Sequence, residues 1–371
     1  MKYGLVLGWA VLALASSAAW SQDLVIGQSV PLSGSNADIG RDMRDGALAV
    51  FNRVNAGKSL NGHRLKLVTL DNTNSRERAL ENTQQLLGAQ GAMVLFGYNS
   101  ATNSLDSLPL AARANTLFFA PFSGSLALRG HPNVYTVRAS YKEEALKIIE
   151  AKRNVGADKA VVLHYDDEVG RSNYDAVAGA FSELGMARPP AVAVKRGATL
   201  DPAATDALLK SPAHYVLATT QFSTVRDLLK AAGDKGVPLS VAALSFVNPD
   251  ELAESVGGLA RGTIVSQVIP SPRPSNQVSV PLVKECAEAL NALNGAKLNY
   301  TSLESCIAAT ALVAAIRKAG PNPTRESILQ AMGGVERLDL GGYTLQFSSS
   351  RHQGSSWVEL TMLSRGNRFV Q

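Results

Sequence analysis

Cysteine is nearly absent from this chain of 371 residues: only Cys286 and Cys306 occur, and there is no Cys-x-x-Cys pair. Two cysteines cannot be the main staple of so long a chain. Both sit in helical patterns, where a disulfide and a pair of buried thiols are alternative readings. Other motifs are missing too. No Gly-x-x-x-x-Gly-Lys-Ser/Thr phosphate loop and no Gly-x-Ser-x-Gly nucleophile elbow occur. Gly257–Gly262 is glycine-rich but does not sit as Gly-x-Gly-x-x-Gly between strand and helix. His63, His131, His164, His214 and His352 stand apart, without zinc spacing. The formal charge of +5 is spread out, with no basic run and no aromatic–basic interleaving. That leaves no nucleic-acid footprint. Beyond the first 21 residues, no apolar stretch is long enough to span a bilayer. At 46% hydrophobic and 18% charged, the composition is that of a soluble globular protein, and the length accommodates two domains.

What is present begins with a leader. Met1-Lys2 forms a short positive start, Leu5 to Ala15 an apolar core, and Ala19-Trp20-Ser21 the small residues read at cleavage. Residues 1–21 are therefore expected to be a signal peptide, cleaved near Ser21-Gln22. The mature chain is placed in the periplasm or outside the cell. The apolar run is short for an anchor, and no cysteine follows it to carry a lipid.

The chain is organised around Ala92 to Ser125. Two apolar runs, Met93–Phe96 and Thr116–Ala120, are the length of buried strands. Each ends in a loop of small hydroxyl, amide and glycine residues, Gly97–Ser104 and Pro121–Ser125, and Leu105–Ala114 between them has helical spacing. This is the strand–loop–helix–strand unit of a parallel α/β sheet, in which ligands bind off the carboxyl ends of the strands. Upstream, Asp23–Pro31 and Arg64–Leu70 read as strands and Met43–Asn55 and Arg76–Leu87 as helices. Downstream, Tyr135–Ser140 reads as a crossing segment, after which the rhythm restarts with strands at Lys159–His164, Ala191–Val194, Tyr215–Ala218 and Leu239–Ala243. Gly262–Ile269 runs into a stiff Pro270–Pro274 segment. Two long helices follow, then antiparallel tail strands at Gly341–Phe347 and Val358–Leu363. The expected fold is α/β: two Rossmann-like lobes, each a doubly wound parallel sheet, joined by several crossings into a hinged clamshell.

Asp166-Asp167-Glu168 lies at a strand's carboxyl end, where an acid/base pair could work, but no nucleophile or metal partner accompanies it. A solvated acidic loop or a lobe–lobe contact is the alternative. Strand-end loops in both lobes carry hydroxyls and amides that can orient a small molecule. Phe122, Phe222 and Phe246 offer apolar contact there, or belong to the core.

Several stretches together carry a resemblance: IGQSVPLSGSNADIGRDMRDGALAVFNRVNA, LFGYNSATNS, APFSGS, SQVIPSP, TSLESCIAA and GGYTLQF…WVELTML. On these the chain resembles the periplasmic solute-binding proteins of the branched-chain amino-acid (leucine/isoleucine/valine) ABC transporter type, over nearly all of Asp23 to Gln371. The resemblance implies a type I periplasmic-binding-protein clamshell with three hinge crossings. It implies lobe 1 at 22–138 plus 264–339 and lobe 2 at 139–263 plus 340–371. It further implies a non-catalytic monomer without metal or cofactor, closing on a small-molecule ligand, a carboxylate or amino acid, and docking on a membrane permease. Ligand contacts carried over by position are Ile39, Ser100, Ala101, Thr102, Ser123 and Gly124, with Phe122 beside them, and Val169, Phe222, Ser245 and Phe246 in the second lobe. The chain departs from the amino-acid binders where they place acids, having Ser245 and Tyr141 instead. An ammonium buried without an anion is costly. A small carboxylate without an amine is thus the expected ligand, unless Glu143, Asp167 or Glu168 supplies the charge. A sensor of the same fold, or an exported α/β enzyme, are the competing classes.

Expressed with its leader in a Gram-negative host, the exported protein should begin at Gln22 by N-terminal sequencing; a retained Met1 would contradict the cleavage site.

Overall fold

The computed structural model describes residues 22–34, 36–57, 60, 62–364 and 369–370; the expected signal peptide lies outside them. The first sheet holds β1 (Gln22–Val30), β2 (His63–Asp71), β3 (Val94–Phe96), β4 (Leu117–Phe119) and β5 (Val134–Tyr135), in the order β2-β1-β3-β4-β5. The pairs within it are parallel. β3 and β4 are buried on every residue. Helices cover both faces of such a sheet, so its central strands read as unbroken apolar runs rather than alternating ones. The helices Ala37–Ala56, Pro281–Asn294 and Tyr300–Lys318 pack together beside it, contributing Phe51, Val283 and Ile307 to its core.

The second sheet repeats the plan. β6 (Ala160–Tyr165), β7 (Ala191–Val194), β8 (Tyr215–Ala218), β9 (Val241–Ala243) and β10 (Ile264–Gln267) run parallel in the order β7-β6-β8-β9-β10. Two antiparallel strands extend its edge, β13 (Glu359–Leu363) on β10 and then β14 (Phe369–Val370). The sheet is therefore mixed, its antiparallel edge formed by the tail strand expected at Val358–Leu363. Between them in sequence, β11 (Leu338–Asp339) and β12 (Thr344–Leu345) form a small hairpin.

The chain passes between lobes three times, and two of the expected boundaries move. β10 completes the second sheet, with Ile264 paired to Ala242 and to Met362. Val268 and Ile269 already belong to the first core. Tyr343, Leu345 and Phe347 also pack in the first core and Trp357 and Val358 pack against it, so the chain returns only at Glu359, where β13 begins. Strand pairing and side-chain burial thus put the breaks expected at 264 and 340 at Val268 and Glu359. The crossings are tied to one another. The Tyr343 hydroxyl donates to the Val268 and Val137 carbonyls at 3.0 and 3.3 Å. Thr136 N–H donates to His352 O, and Gly354 N–H to Thr136 O, at 2.9 and 2.7 Å. Gln353 accepts from Arg129 of the first lobe and donates to Glu143 on the helix Tyr141–Asn154 of the second.

The segment expected to be extended ends at Arg273; Pro274 opens a short helix to Ser279, since proline suits a first turn. A helix Pro249–Val256, which the sequence reading did not assign, follows the loop after β9, capped by the Asn248 side chain accepting from Asp250 and Glu251 N–H.

Cys286 and Cys306 form a disulfide between the helices Pro281–Asn294 and Tyr300–Lys318, with Cα atoms 6.1 Å apart. Of the two readings the sequence allowed, the bridge is the one the structure takes. A closed loop of this size stabilises by about 3 kcal/mol. Reduction should lower the denaturant midpoint of unfolding accordingly; an unchanged midpoint would contradict it.

Candidate functional site

In both lobes the strand order reverses beside the first strand, between β1 and β3 and between β6 and β8. Loops leaving the carboxyl ends diverge there and open a crevice. The two crevices face each other across a cleft lined by both lobes. From the first lobe come Pro31 after β1, Asn99–Thr102 after β3, and Phe122 and Ser123 after β4. The second lobe supplies Tyr165 and Val169 around the end of β6, Thr219, Gln221 and Phe222 after β8, and Phe246 after β9.

The first-lobe wall is held by its own amides. Phe122 N–H donates to Tyr98 O at 2.8 Å, locking the two loops together. Asn72 donates to Asn99, and both Asn99 and Asn103 donate to Asn74, at 2.7, 3.1 and 3.1 Å. Ser100 takes φ +56°, a left-handed backbone that costs a residue with a β-carbon about 1–3 kcal/mol. Its hydroxyl accepts from Asn103 N–H and caps the short helix Ala101–Ser104. The Thr102 hydroxyl is buried with no hydrogen-bond partner among the described residues. The Ser123 hydroxyl lies 3.3 Å from that of Tyr141, whose phenol is held above its ordinary pKa by burial and so stays protonated.

Tyr141 enters the cleft because of Gly124. Tyr141 N–H donates to Gly124 O at 2.8 Å, and a β-carbon on Gly124 would stand 2.5 Å from the tyrosine ring. The ring meets Phe246 edge-on at 5.3 Å. Gly124 itself does not line the cleft; it makes the space for the side chain that does.

On the second-lobe wall, Tyr165 accepts from Gln221 N–H at 3.0 Å and lies 3.1 Å from the Thr224 hydroxyl. The Arg196 guanidinium sits 4.0 Å over its ring and forks onto Asp167 at 2.7 and 3.1 Å. Burial raises the Asp167 pKa, but Arg196 and Gly170 N–H outweigh it and hold the carboxyl below its usual range. Asp166 pairs with Arg171, and Glu168 is exposed. The acidic triplet is thus a helix cap and ion pairs, not an acid/base pair. Val169 packs into a first-lobe apolar cluster that includes Ala101 and Leu128, so the lobes touch at that rim. Asn173, one turn further on, has a buried side-chain oxygen without a partner among the described residues.

Of the expected contacts, Ile39, Ser100, Ala101, Thr102, Phe122, Ser123, Tyr141, Val169, Phe222 and Phe246 lie on this cleft, whereas Gly124 and Ser245 do not. Ser245 gives both its N–H and its hydroxyl to Glu144, at 2.8 and 3.0 Å, and lines an adjoining chamber. Burial pushes the Glu144 carboxyl up, opposed by Arg138 and by Ser266 and Ser245. The sequence reading missed Tyr165, Asn173 and Arg196. Tyr165 closes a strand already recognised, and Asn173 is four residues from Val169 on one helix face. Arg196 follows β7, outside every strand-end motif, and carries no local signal. Among the described residues, Arg196 is the only charged side chain on the cleft, and no carboxylate lines it. None of them forms a cluster arranged to hold a metal.

The model of the family described as "Periplasmic binding protein" matches residues 23–367. An amino acid binding protein of Pseudomonas aeruginosa is 24% identical over 257 residues, 67% of this chain and 69% of that protein. A Leu/Ile/Val-binding protein homolog of Brucella abortus is 22% identical over 78% of each chain. The crystal structure of a possible leucine/isoleucine/valine-binding protein from Rhodopirellula baltica superposes with a TM-score of 0.89 at 26% identity, covering 96% of this chain and 98% of that one.

Gly124→Ala should destabilise the protein by about 1–3 kcal/mol, the usual cost of overpacking. Denaturant titration reads this; a neutral effect would mean that Tyr141 can move aside freely.

Proposed function

We propose, from the premise that this chain belongs to the periplasmic binding protein family, that it is an extracytoplasmic receptor of an ABC importer whose ligand is a small carboxylate lacking an amine. Family members of this kind bind ligands and do not turn them over. The observation that carries the reading is the charge on the cleft wall: one guanidinium and several hydroxyls, with no carboxylate among the described residues. Hydroxyls donate to an anion, and hydrogen bonds to a charged acceptor are the stronger ones; Arg196 is already paired with Asp167.

An ammonium would find no such partner. The three acids that could have supplied one are committed or turned away. Glu143 accepts from Ser140 and Gln353. Asp167 holds Arg196 and caps its helix. Glu168 is exposed. Relatives named for amino acids share the fold, while no carboxylate that could pair with an amine lines this cleft among the described residues.

Binding works by closure. The ligand's acidic end is held by Ser100, Thr102 and Ser123, and its apolar end by Ile39 and Phe222. Bridging to the second lobe favours the closed form only to the extent that the ligand prefers it. The closed molecule is then delivered to a permease as a single chain.

Calorimetry should show binding of benzoate or 4-methyl-2-oxopentanoate, with leucine, valine and phenylalanine weaker by about tenfold or more, the cost of one unpaired buried charge being well above that factor. Tight leucine binding would overturn the reading. Ser123→Asp should weaken the acids by repulsion; unchanged affinity would reverse the proposed orientation.

A further inference from the structure

Adjoining the cleft is a second, much tighter chamber, with room for about one water-sized group. It shares three residues with the cleft, Ile39, Phe122 and Phe246, all half-buried. Its inner wall carries Arg138, Glu304 and Tyr300. Arg138 is 1% exposed, the largest fully buried side chain described. Its Nε and Nη2 donate to the two Glu304 oxygens at 2.8 and 2.7 Å. Nη1 has no partner among the described residues.

A buried donor left without a partner is costly, the more so when it belongs to a charged group. The wall of the chamber therefore includes a guanidinium with one N–H that no described residue satisfies. The charges around it limit what that can be. Glu304 already neutralises the guanidinium, and Glu144 lies close enough to act on it electrostatically. A further carboxylate would put three acids around one cation. Ser245, on the same wall, has both donors taken by Glu144.

We propose that this chamber receives the far end of the ligand and that this end carries an uncharged acceptor, a carbonyl, hydroxyl or ether oxygen, which takes the Nη1–H of Arg138. The inference rests on the carboxylate reading and narrows it: an acid at one end, a neutral oxygen at the other, and an apolar body between Ile39, Phe122 and Phe246. The Phe122 ring, with the Arg138 guanidinium 4.3 Å from its centre, forms the partition between the two spaces.

The test is calorimetry on the mature protein with 4-acetylbenzoate, 4-isopropylbenzoate and terephthalate, which share shape and differ at the far end. 4-Acetylbenzoate should bind about tenfold more tightly than 4-isopropylbenzoate, as one charge-assisted hydrogen bond implies, and terephthalate most weakly. Equal binding of the acetyl and isopropyl acids, or tightest binding of terephthalate, overturns the inference and leaves the carboxylate reading standing. If none of the three binds, the inference falls, and the benzoate and 4-methyl-2-oxopentanoate titrations decide separately whether the carboxylate reading falls too. Glu304→Gln removes the countercharge and should shift preference toward terephthalate; an unchanged order in the folded variant argues against Arg138 as the contact. Should that variant not fold, the wild-type series still decides.

Discussion

Arg138 and Glu304 meet in the interior as a fork of two parallel hydrogen bonds, with side chains 1% and 6% exposed. Neither charge is tolerable there alone, and removing one partner of such a pair typically costs about 3–5 kcal/mol. The pair ties the first crossing to the helix Tyr300–Lys318 of the first lobe. Other contacts depend on it. The guanidinium packs over Phe122, and the Arg138 carbonyl accepts from Arg129. One ion pair thus sets the height of the cleft floor and the place where the chain leaves the first lobe.

Above that floor the architecture is a duplication. Each lobe carries five parallel strands in the same order, and the order reverses at the same place in each. The cleft is where it is because both reversals point inward. The electrostatics differ between the walls. The first lobe offers hydroxyls and a strained serine backbone, fixed by a lattice of asparagine amides. The second offers an arginine stacked on a tyrosine and neutralised from behind by Asp167. The first wall is thus one of neutral donors, and the second holds one guanidinium already paired with a carboxylate.

Much of this was legible in the chain because it is local. Apolar runs such as VLF and LFF, followed by serine and asparagine, announce buried strands and their loops, and the loops in turn announce a wall of the cleft. The lobe boundaries were less legible. Ile264 joins the second sheet between Ala242 of β9 and Met362 of β13, and no local pattern reports the pairing with so distant a strand. The helix after β9 was overlooked although Asn248-Pro249-Asp250-Glu251 is a good helix start. Ser245 was placed against the ligand by position, but its donors turn to Glu144, a residue 101 positions earlier. Arg196 and the open donor of Arg138 could not be read at all, since their meaning arises only when distant segments meet.

The knot of bonds among the three crossings has a mechanical meaning. Tyr343 grips two of them, Thr136 joins the first to the third, and Gln353 spans from Arg129 to Glu143. Chain segments stapled side by side cannot slide past one another, so shear between the halves is stiff and bending about the bundle is soft. The protein then has a single easy coordinate, an angle. Anything that reads its state from outside needs to sense only how far apart two distant rims stand, and need never touch the bound molecule.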